Sequence, residues 1–191
     1  MPILMTLQSL GATAEQYDRV NEILGLHSDD NAPDGLILHV CGVIDDGILI
    51  FDLWESEEKL NGFFATSLGA AMHEAGFPES QPVIEQVHNL VPRGGGASAN
   101  VIAELHVDAG ADIYDEMASE MPSHQGDPSK APFYSHAAAV TSTGKLHVVD
   151  LWPSREAFGA FAQAEIAPAA GGRIDEVTPR FVPVHNVIRG A

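Results

Sequence analysis

The chain has 191 residues, 45% of them hydrophobic, and a formal net charge of −18 at pH 7. This length allows one large domain or two small ones, and the acidic surface repels phosphate backbones, so nucleic acid is excluded as a partner. No apolar run approaches the roughly 18 residues that a membrane span needs, so no membrane partner is expected. The single cysteine, Cys41, excludes an internal disulfide and a thiolate metal cluster. We therefore expect a cytoplasmic protein.

The first half of the chain predicts strands and helices in the order β-α-β-β-α-β. A strand over about residues 2–9 precedes a helix over about 13–25, and the turn "DDG" at 45–47 joins two further strands as a hairpin. Ser56 is placed to cap a second helix, because acidic residues follow it in the first turn. A strand over about 83–91 closes this unit.

The second half predicts the same order of elements. A strand over about 100–107 and a helix over about 111–122 come first, and the hairpin turn is "STG" at 142–144. Ser154 caps the second helix, and a strand over about 181–188 ends the unit.

A Gly- and Ser-rich stretch, "VPRGGGASAN" at 91–100, separates the two halves. This composition is typical of a flexible linker, and it lacks the pattern of a phosphate-binding loop. We therefore predict a first βαββαβ unit over residues 1–92, a linker over 93–99 and a second such unit over 100–191.

Three ordered matches identify the two halves as copies of one unit. "GLILHVCGVIDDGILIFDLWES" aligns with "PFYSHAAAVTSTGKLHVVDLWPS", "VHNLV" at 87–91 with "VHNVI" at 184–188, and "AEQYDRV" with "ADIYDEM". The equivalent polar and aromatic pairs are His39 with His136, Asp52 with Asp150, Trp54 with Trp152 and Tyr17 with Tyr114. The element order is that of the ferredoxin-like βαββαβ unit. The predicted fold is α+β, with two such units whose antiparallel sheets face each other as an α+β barrel.

Alternation along the strands predicts which side chains share a face of each sheet. In the first copy one face is uniformly apolar, and the other carries His39, Asp52 and Trp54. We assign the uniformly apolar face to the helices. The polar groups, and His136, Asp150 and Trp152 in the second copy, are then expected to point towards the space between the sheets.

The second copy carries more polar groups than the first, which predicts a site there. The expected pocket residues are Glu104, His106, His136, Asp150 and His185, and a second or degenerate site in the first copy would contain His39, Asp52, Trp54 and His88. A carboxylate beside an imidazole orients its tautomer and raises its basicity, as general-base catalysis requires. A hydrogen-bonded network without a catalytic role, or a site for Zn, Fe or Cu, fits the same residue types. The histidines are scattered without metal-ligand spacing, so no metal is predicted.

Other reactive side chains are assigned no function. Cys41 is expected in the middle of a strand, where nothing exposes it as a nucleophile. His27, His73 and His124 fall in helix ends or loops and are expected to be solvated.

Two fused ferredoxin-like units with facing sheets resemble the dimeric α+β barrel superfamily, and within it the antibiotic-biosynthesis-monooxygenase-like domains. The residues that carry the resemblance are "GLILHVCGVIDDGILIFDLWESEEKL", "SHAAAVTSTGKLHVVDLWPSREAF" and the two "VHN" endings. The resemblance covers nearly the whole chain except the linker and the termini. It implies a pseudo-dimer within one chain and leaves a further homodimer open. Because the superfamily hosts unrelated functions, it is specific for fold and loose for activity.

The family includes cofactor-free oxygenases of aromatic polyketides, haem-degrading enzymes and isomerases. The haem-degrading type has a His ten residues after the Trp, where this chain has Phe64 and Ala162, so haem degradation is not expected. The resemblance therefore implies a cofactor-independent monooxygenase that acts on a small hydrophobic or aromatic molecule, with no cofactor.

The polar side chains of the second copy receive roles under this hypothesis. His136 is the base, Asp150 orients it, and Trp152 is a cavity wall. His106 and His185 hold a substrate oxygen. Two alternatives are a non-catalytic ligand-binding or assembly protein and a His-ligated metal or haem protein.

Overall fold

The computed structural model describes residues 1–174 and 177–190, and in this part of the chain eight strands alternate with helices. The strands are β1 Ile3–Leu10, β2 Leu36–Ile44, β3 Gly47–Trp54, β4 Val83–Val91, β5 Val101–Val107, β6 Ser135–Val140, β7 Leu146–Trp152 and β8 Arg180–Arg189. The helices are α1 Ala14–Leu24, α2 Glu57–Phe63, α3 Gly69–Glu74, α4 Ala111–Glu120, α5 Pro122–Gln125, α6 Arg155–Phe161 and α7 Ala167–Ala170. The strands close into an antiparallel barrel in the order β1-β3-β2-β8-β5-β7-β6-β4. The predicted α+β fold class is confirmed.

Capping residues fix where the helices begin, as the sequence predicts. Ser56 and Ser154 accept hydrogen bonds from the backbone N–H groups of Lys59 and Ala157, which satisfies one free donor in the first turn of α2 and of α6. Thr13 caps α1 in the same way. No helix in the described part of the chain is long and apolar enough to cross a membrane.

Each copy interrupts its second helix with a five-residue π turn at the same place. The turn covers Phe64–Leu68 between α2 and α3, and Ala162–Ile166 between α6 and α7. Such turns are rare and are frequent at functional sites. In the second copy, residues of the π turn line a cavity.

The chain divides into two compact units, and each contains most of the last strand of the other copy. The first unit is Met1–Ile84 together with the stretch from Val184, and the second unit is Glu85–Pro183. The end of β8 therefore pairs with β2, and most of β4 pairs with β6. The compact units thus cut across the sequence repeats.

The helices cover the face of the sheet that carries the polar groups, which is the reverse of the prediction. In the first unit, Tyr17 of α1 and Leu60 of α2 pack with Ile48, Ile50 and Trp54 of β3. The sequence could not identify this face by apolarity, because β3 is buried along its whole length on both faces. On the helix face, the hydroxyl of Tyr17 in α1 provides a hydrogen-bond partner for the partly buried His39.

The Gly-rich segment before β5 is held by the second unit. The backbone N–H groups of Gly94, Gly95 and Gly96 donate to the carbonyl groups of Tyr134, Ala131 and Phe133 at 2.7–2.9 Å. A Cβ on Gly95 would lie 2.2 Å from the Ser129 carbonyl oxygen. The glycines therefore permit close backbone approach, where the composition had predicted only flexibility.

Candidate functional site

The candidate active site of the second unit is built from three elements. His136 on β6 lies directly opposite Asp150 on β7 in the antiparallel ladder, so both side chains share one face of the sheet. Trp152 follows two residues later on that face. Tyr114 projects onto it from α4. His136, Asp150 and Trp152 are buried, so their polar atoms require partners inside the protein.

These four side chains form one hydrogen-bonded chain. Oδ1 of Asp150 is 2.7 Å from Nδ1 of His136, and its Oδ2 accepts from Nε1–H of Trp152 at 3.4 Å. Because a carboxylate oxygen accepts, we assign the donor in this bond to Nδ1–H of His136, which leaves Nε2 of the ring to accept. The hydroxyl of Tyr114, 2.6 Å from Nε2, donates to it. Asp150 therefore orients His136 as predicted, while Tyr114 covers its basic nitrogen.

His124 on α5 extends this chain by one residue. Its Nε2 is 3.3 Å from the Tyr114 hydroxyl, and its Nδ1 is 3.1 Å from the Ser123 hydroxyl. Burial, and then the neighbouring His136, lower the pKa of His124 to about 4. Burial, and then the Asp150 charge, raise the pKa of Tyr114 above its usual value. Tyr114 therefore stays a hydroxyl at neutral pH, and His124 stays a neutral imidazole that donates to it.

A cavity of about 560 Å³ lies against this chain in the second unit. Its polar lining comes from the four residues Tyr114, His124, His136 and Asp150 and from Gln163 of the π turn, and the rest is mostly aliphatic and aromatic. The predicted wall residue, Trp152, does not line the cavity. It is fully buried behind Asp150 and packs edge-on against Phe158. The cavity is thus an apolar space with one polar wall that can give and take protons.

The first unit repeats the hydrogen-bonded chain, but a larger cavity in that unit, of about 840 Å³, is not lined by any residue of this chain. Tyr17, His39 and Asp52 are joined at 2.6 and 2.7 Å, and Trp54 donates to Asp52 at 3.3 Å. Asn186 Nδ2 donates to the Tyr17 hydroxyl at 2.9 Å, in the role that His124 has in the second unit. The cavity beside these residues measures only about 70 Å³. The predicted second site is therefore present as a network but has little space for a ligand.

The exchange of last strands moves two predicted site residues into the opposite units. His185, expected in the second-copy pocket, is 2.8 Å from Asp18 and stacks edge-on against Tyr17 in the first unit. His88, expected in the first copy, is 2.7 Å from Asp115 and packs edge-on against Tyr114 in the second unit. Each histidine lies beside the tyrosine of its unit and outside the lining of the cavity, so His185 is not in position to hold a substrate oxygen in the second unit.

Glu104 and His106 lie on the other face of the sheet, so the structure does not bring the five predicted pocket residues together. The ladder pairs Ala103 with Asp150 and His106 with His147, which places Glu104 and His106 one residue out of phase with Asp150. Their side chains meet His147, whose Nδ1 is 2.5 Å from Oε2 of Glu85. The prediction that Glu104 and His106 face the pocket was wrong. It chose the face of β5 from the alternation of apolar residues, whereas the register between β5 and β7 determines that face.

This second polar cluster is electrostatically coupled. Burial alone would lower the pKa of His147, but the hydrogen bonds and charges of Glu104 and Glu85 raise it to about 9. Burial raises the pKa of Glu104, and His147 with Arg180 more than reverses this, so the net direction is downward. The cluster therefore holds compensating charges within the sheet.

Sequence reasoning missed three kinds of functional candidate. Tyr114 had a usable signal, because it matches Tyr17 between the copies. His124 was expected to be solvated, and nothing in its loop-like surroundings predicted that α5 would fold it over the cavity. Glu85 of β4 and His147 of β7 lie on strands that are not neighbours in the barrel, so no local pattern in the sequence predicted their contact.

The sequence matches no protein-family model and no curated protein. Solved structures share its fold over nearly the whole chain. A candidate monooxygenase from Lactobacillus acidophilus is 12% identical, with a TM-score of 0.71 over 98% of this chain and 96% of its own. A candidate monooxygenase from Fusobacterium nucleatum is 10% identical, with a TM-score of 0.66 over 98% and 94%. An anthrone oxidase-like protein is 15% identical, with a TM-score of 0.52 over 98% and 92%.

These likenesses define the class of fold to which the chain belongs. It is a ferredoxin-like α+β barrel of eight antiparallel strands. Within that class its fold is similar to those of the two candidate monooxygenases and of a monooxygenase-like protein from Listeria innocua, which agrees with the barrel fold that the resemblance in the sequence implies. Activity must be argued from the site itself, because one such fold hosts many functions.

Proposed function

We propose that the protein is a cofactor-independent monooxygenase that oxidises a small aromatic molecule in the cavity of the second unit. The observation that carries the proposal is the meeting of a cavity of about 560 Å³ with a buried Tyr-His-Asp chain. This volume lies within the roughly 300–1,000 Å³ typical of small-molecule sites. The first unit has the equivalent hydrogen-bonded chain, but the cavity beside that chain measures only about 70 Å³. We therefore place the working site in the second unit.

Tyr114 is the group that meets the substrate in this proposal. Its oxygen takes a proton from an acidic O–H or C–H group of the bound molecule while its own proton passes to Nε2 of His136. Asp150 accepts from Nδ1–H throughout and stabilises the imidazolium that forms. Because burial disfavours the tyrosinate, Tyr114 passes a proton along without holding the negative charge.

The substrate carbanion then reacts directly with O₂. At a methylene carbon activated by flanking aromatic rings, one oxygen atom becomes the new carbonyl oxygen, and the other leaves as water with the two hydrogens of the methylene. The substrate is oxidised and O₂ is reduced, so no further electron donor is needed. The apolar lining limits water around the carbanion, which protects it from reprotonation.

Oxygen consumption tests this proposal. The purified protein is mixed with phenols, naphthols and anthrones, and O₂ uptake is followed with an electrode for the wild type and for His136→Gln, which keeps the size of the side chain but cannot take the proton. We expect uptake with at least one of these compounds and a loss of roughly 10²–10⁴-fold in the variant. Equal rates for the two proteins, or ligand binding without uptake across all three classes, would overturn the proposal.

A non-catalytic ligand-binding or assembly protein is the second candidate function, and one observation favours it. Tyr17, His39 and Asp52 keep the same hydrogen bonds beside a cavity of about 70 Å³. Such a network can therefore serve structure alone, by satisfying polar groups between helix and sheet. Ligand binding without O₂ uptake is the result that selects this candidate.

The proposal also includes the location, the ligand and the oligomeric state that the sequence led us to expect. We infer a cytoplasmic protein whose two ferredoxin-like copies act as a pseudo-dimer, with a small aromatic molecule as the partner. Sedimentation of the 20.3 kDa chain tests whether two chains associate further into a homodimer.

A further inference from the structure

A second group of chemically capable side chains lies in the second unit, on the face of the sheet away from the cavity. His106 of β5 and His147 of β7 are directly paired in the ladder, and Glu104 precedes His106 by two residues on the same face. The residues between them, such as Leu105, line the cavity on the opposite face. The proposed oxygenation uses none of these three polar groups.

We propose that Glu104, His106 and His147 bind one divalent transition-metal ion. One ligating atom from each lies within 4.8 Å of the other two. Two imidazole nitrogens and one carboxylate oxygen form a donor set suited to iron, zinc, cobalt or nickel. Calcium and magnesium prefer oxygen donors alone, so they are not the expected ions.

The distances are close to those of a coordinated ion. Oε1 of Glu104 is 3.4 Å from Nε2 of His147 and 3.5 Å from Nε2 of His106. Metal–ligand bonds of about 2.0–2.2 Å place neighbouring ligand atoms roughly 3 Å apart, so Glu104 already lies close to the required distance from both histidines.

One ligand has to turn before both rings face the ion. The rings of His106 and His147 are stacked with centroids 4.4 Å apart and planes 15° apart, whereas two ligands of one ion each direct a nitrogen at it within the ring plane. The side chain of His106 is 69% exposed, which leaves room for the rotation. The other two ligands are buried and already fixed.

Glu85 and Arg180 position the two buried ligands, as groups that contact the ligands do in known metal sites. Oε2 of the buried Glu85 is 2.5 Å from Nδ1 of His147, which orients that ring and directs Nε2 towards Glu104. Arg180 is 3.3 Å from Oε2 of Glu104, so the other oxygen of that carboxylate faces the histidines. A carboxylate on the far nitrogen of a histidine ligand raises its basicity and its affinity for the metal.

The competing explanation is an ion-pair network that contains no metal. The role of His106 distinguishes this explanation from a metal site. A buried network of His147 with Glu85, Glu104 and Arg180 needs nothing from an exposed histidine at its edge. A metal ion does, because the histidine is one of only three protein ligands. The test therefore changes His106 and leaves the buried groups intact.

Metal titration of the chelator-treated full-length protein tests the site. Zn²⁺ binding is measured by calorimetry, and Co²⁺ binding by its visible absorption bands, for the wild type, His106→Ala and His27→Ala. His27 is also exposed but lies in the first unit, so it controls for loss of any surface histidine. We expect one ion per chain in the wild type and in His27→Ala, and at least tenfold weaker binding in His106→Ala.

Two results would overturn the site: no stoichiometric binding of either ion by the wild type, or equal binding by the wild type and His106→Ala. Circular dichroism confirms that His106→Ala is folded, as expected for an exposed position. The variant His136→Gln separates this proposal from the oxygenase, because its substitution lies on the cavity face. It should bind Zn²⁺ as the wild type does, whether or not it consumes O₂.

Discussion

Met72 and Ala170 occupy the same position in the two copies, each 18 residues after the tryptophan of its Asp-Leu-Trp phrase, and each lines the cavity of its own unit. Where the first unit has a long flexible side chain, the second has a single methyl group. A neighbouring pair shows the same trend, because Ile50 lines the small cavity and Val148 the large one. The two copies therefore differ in the volume of the side chains around the same hydrogen-bonded chain.

Ala170→Met is predicted to fill part of the large cavity. The new side chain grows into empty space at the end of α7, so the free energy of unfolding should change by no more than about 1 kcal/mol. Affinity for an aromatic ligand should fall at least about tenfold, because its space is lost. Titration followed by tryptophan fluorescence measures this. Met72→Ala is the control, and ligand binding in the second unit should not change; unaltered affinity in Ala170→Met would contradict this account of the cavity.

His124 is predicted to make stability depend on pH in the acid range. Its pKa is about 4 in the folded protein, mainly because of burial, and near 6.5 in an unfolded chain. Between these values the unfolded chain binds more protons, so this contribution is complete above pH 6.5 and is lost as the pH falls towards 4. Urea unfolding at pH 7 and pH 5 should show a smaller loss for His124→Gln than for the wild type. The same loss in both proteins would show that His124 is not held neutral.

Gly95→Ala is predicted to destabilise the second unit. Its Cβ would lie 2.2 Å from the Ser129 carbonyl oxygen, and the Gly95 N–H already donates to Ala131. We expect a loss of roughly 1–3 kcal/mol, seen as a lower melting temperature. Gly159→Ala is the matched control, because that glycine lies inside α6 with nothing within 4 Å of a new Cβ. It should be stabilising by up to about 1 kcal/mol. A freely moving segment would instead leave Gly95→Ala as stable as the wild type.

The order of elements could be predicted from the sequence because local signals mark it. Ser56 and Ser154 cap their helices as expected, and the paired phrases around Trp54 and Trp152 reveal the duplication. Packing could not be predicted in the same way. The two "VHN" endings are nearly identical, so nothing local states which copy each last strand completes, and the units exchange β4 and β8.

The candidate site shows the same division between local and long-range information. The pairing of His136 with Asp150 follows from alternation on two strands joined by a tight turn. Glu104 was placed in the wrong group because a shift of one residue in register moves a side chain to the other face. His124 reaches the site through tertiary packing of a short helix, which has no sequence period to predict it.

The central claim is that the hydrogen-bonded chain Tyr114–His136–Asp150 transfers the substrate proton, whereas the equivalent chain Tyr17–His39–Asp52 is not catalytic. The most direct test is substrate-dependent O₂ uptake by Tyr114→Phe and Tyr17→Phe, which remove one oxygen atom from equivalent positions in the two units. We predict that Tyr114→Phe loses roughly 10²–10⁴-fold in kcat with ligand affinity changed only slightly, and that Tyr17→Phe retains wild-type turnover. Equal turnover by the two variants, or wild-type turnover by Tyr114→Phe, would contradict the claim.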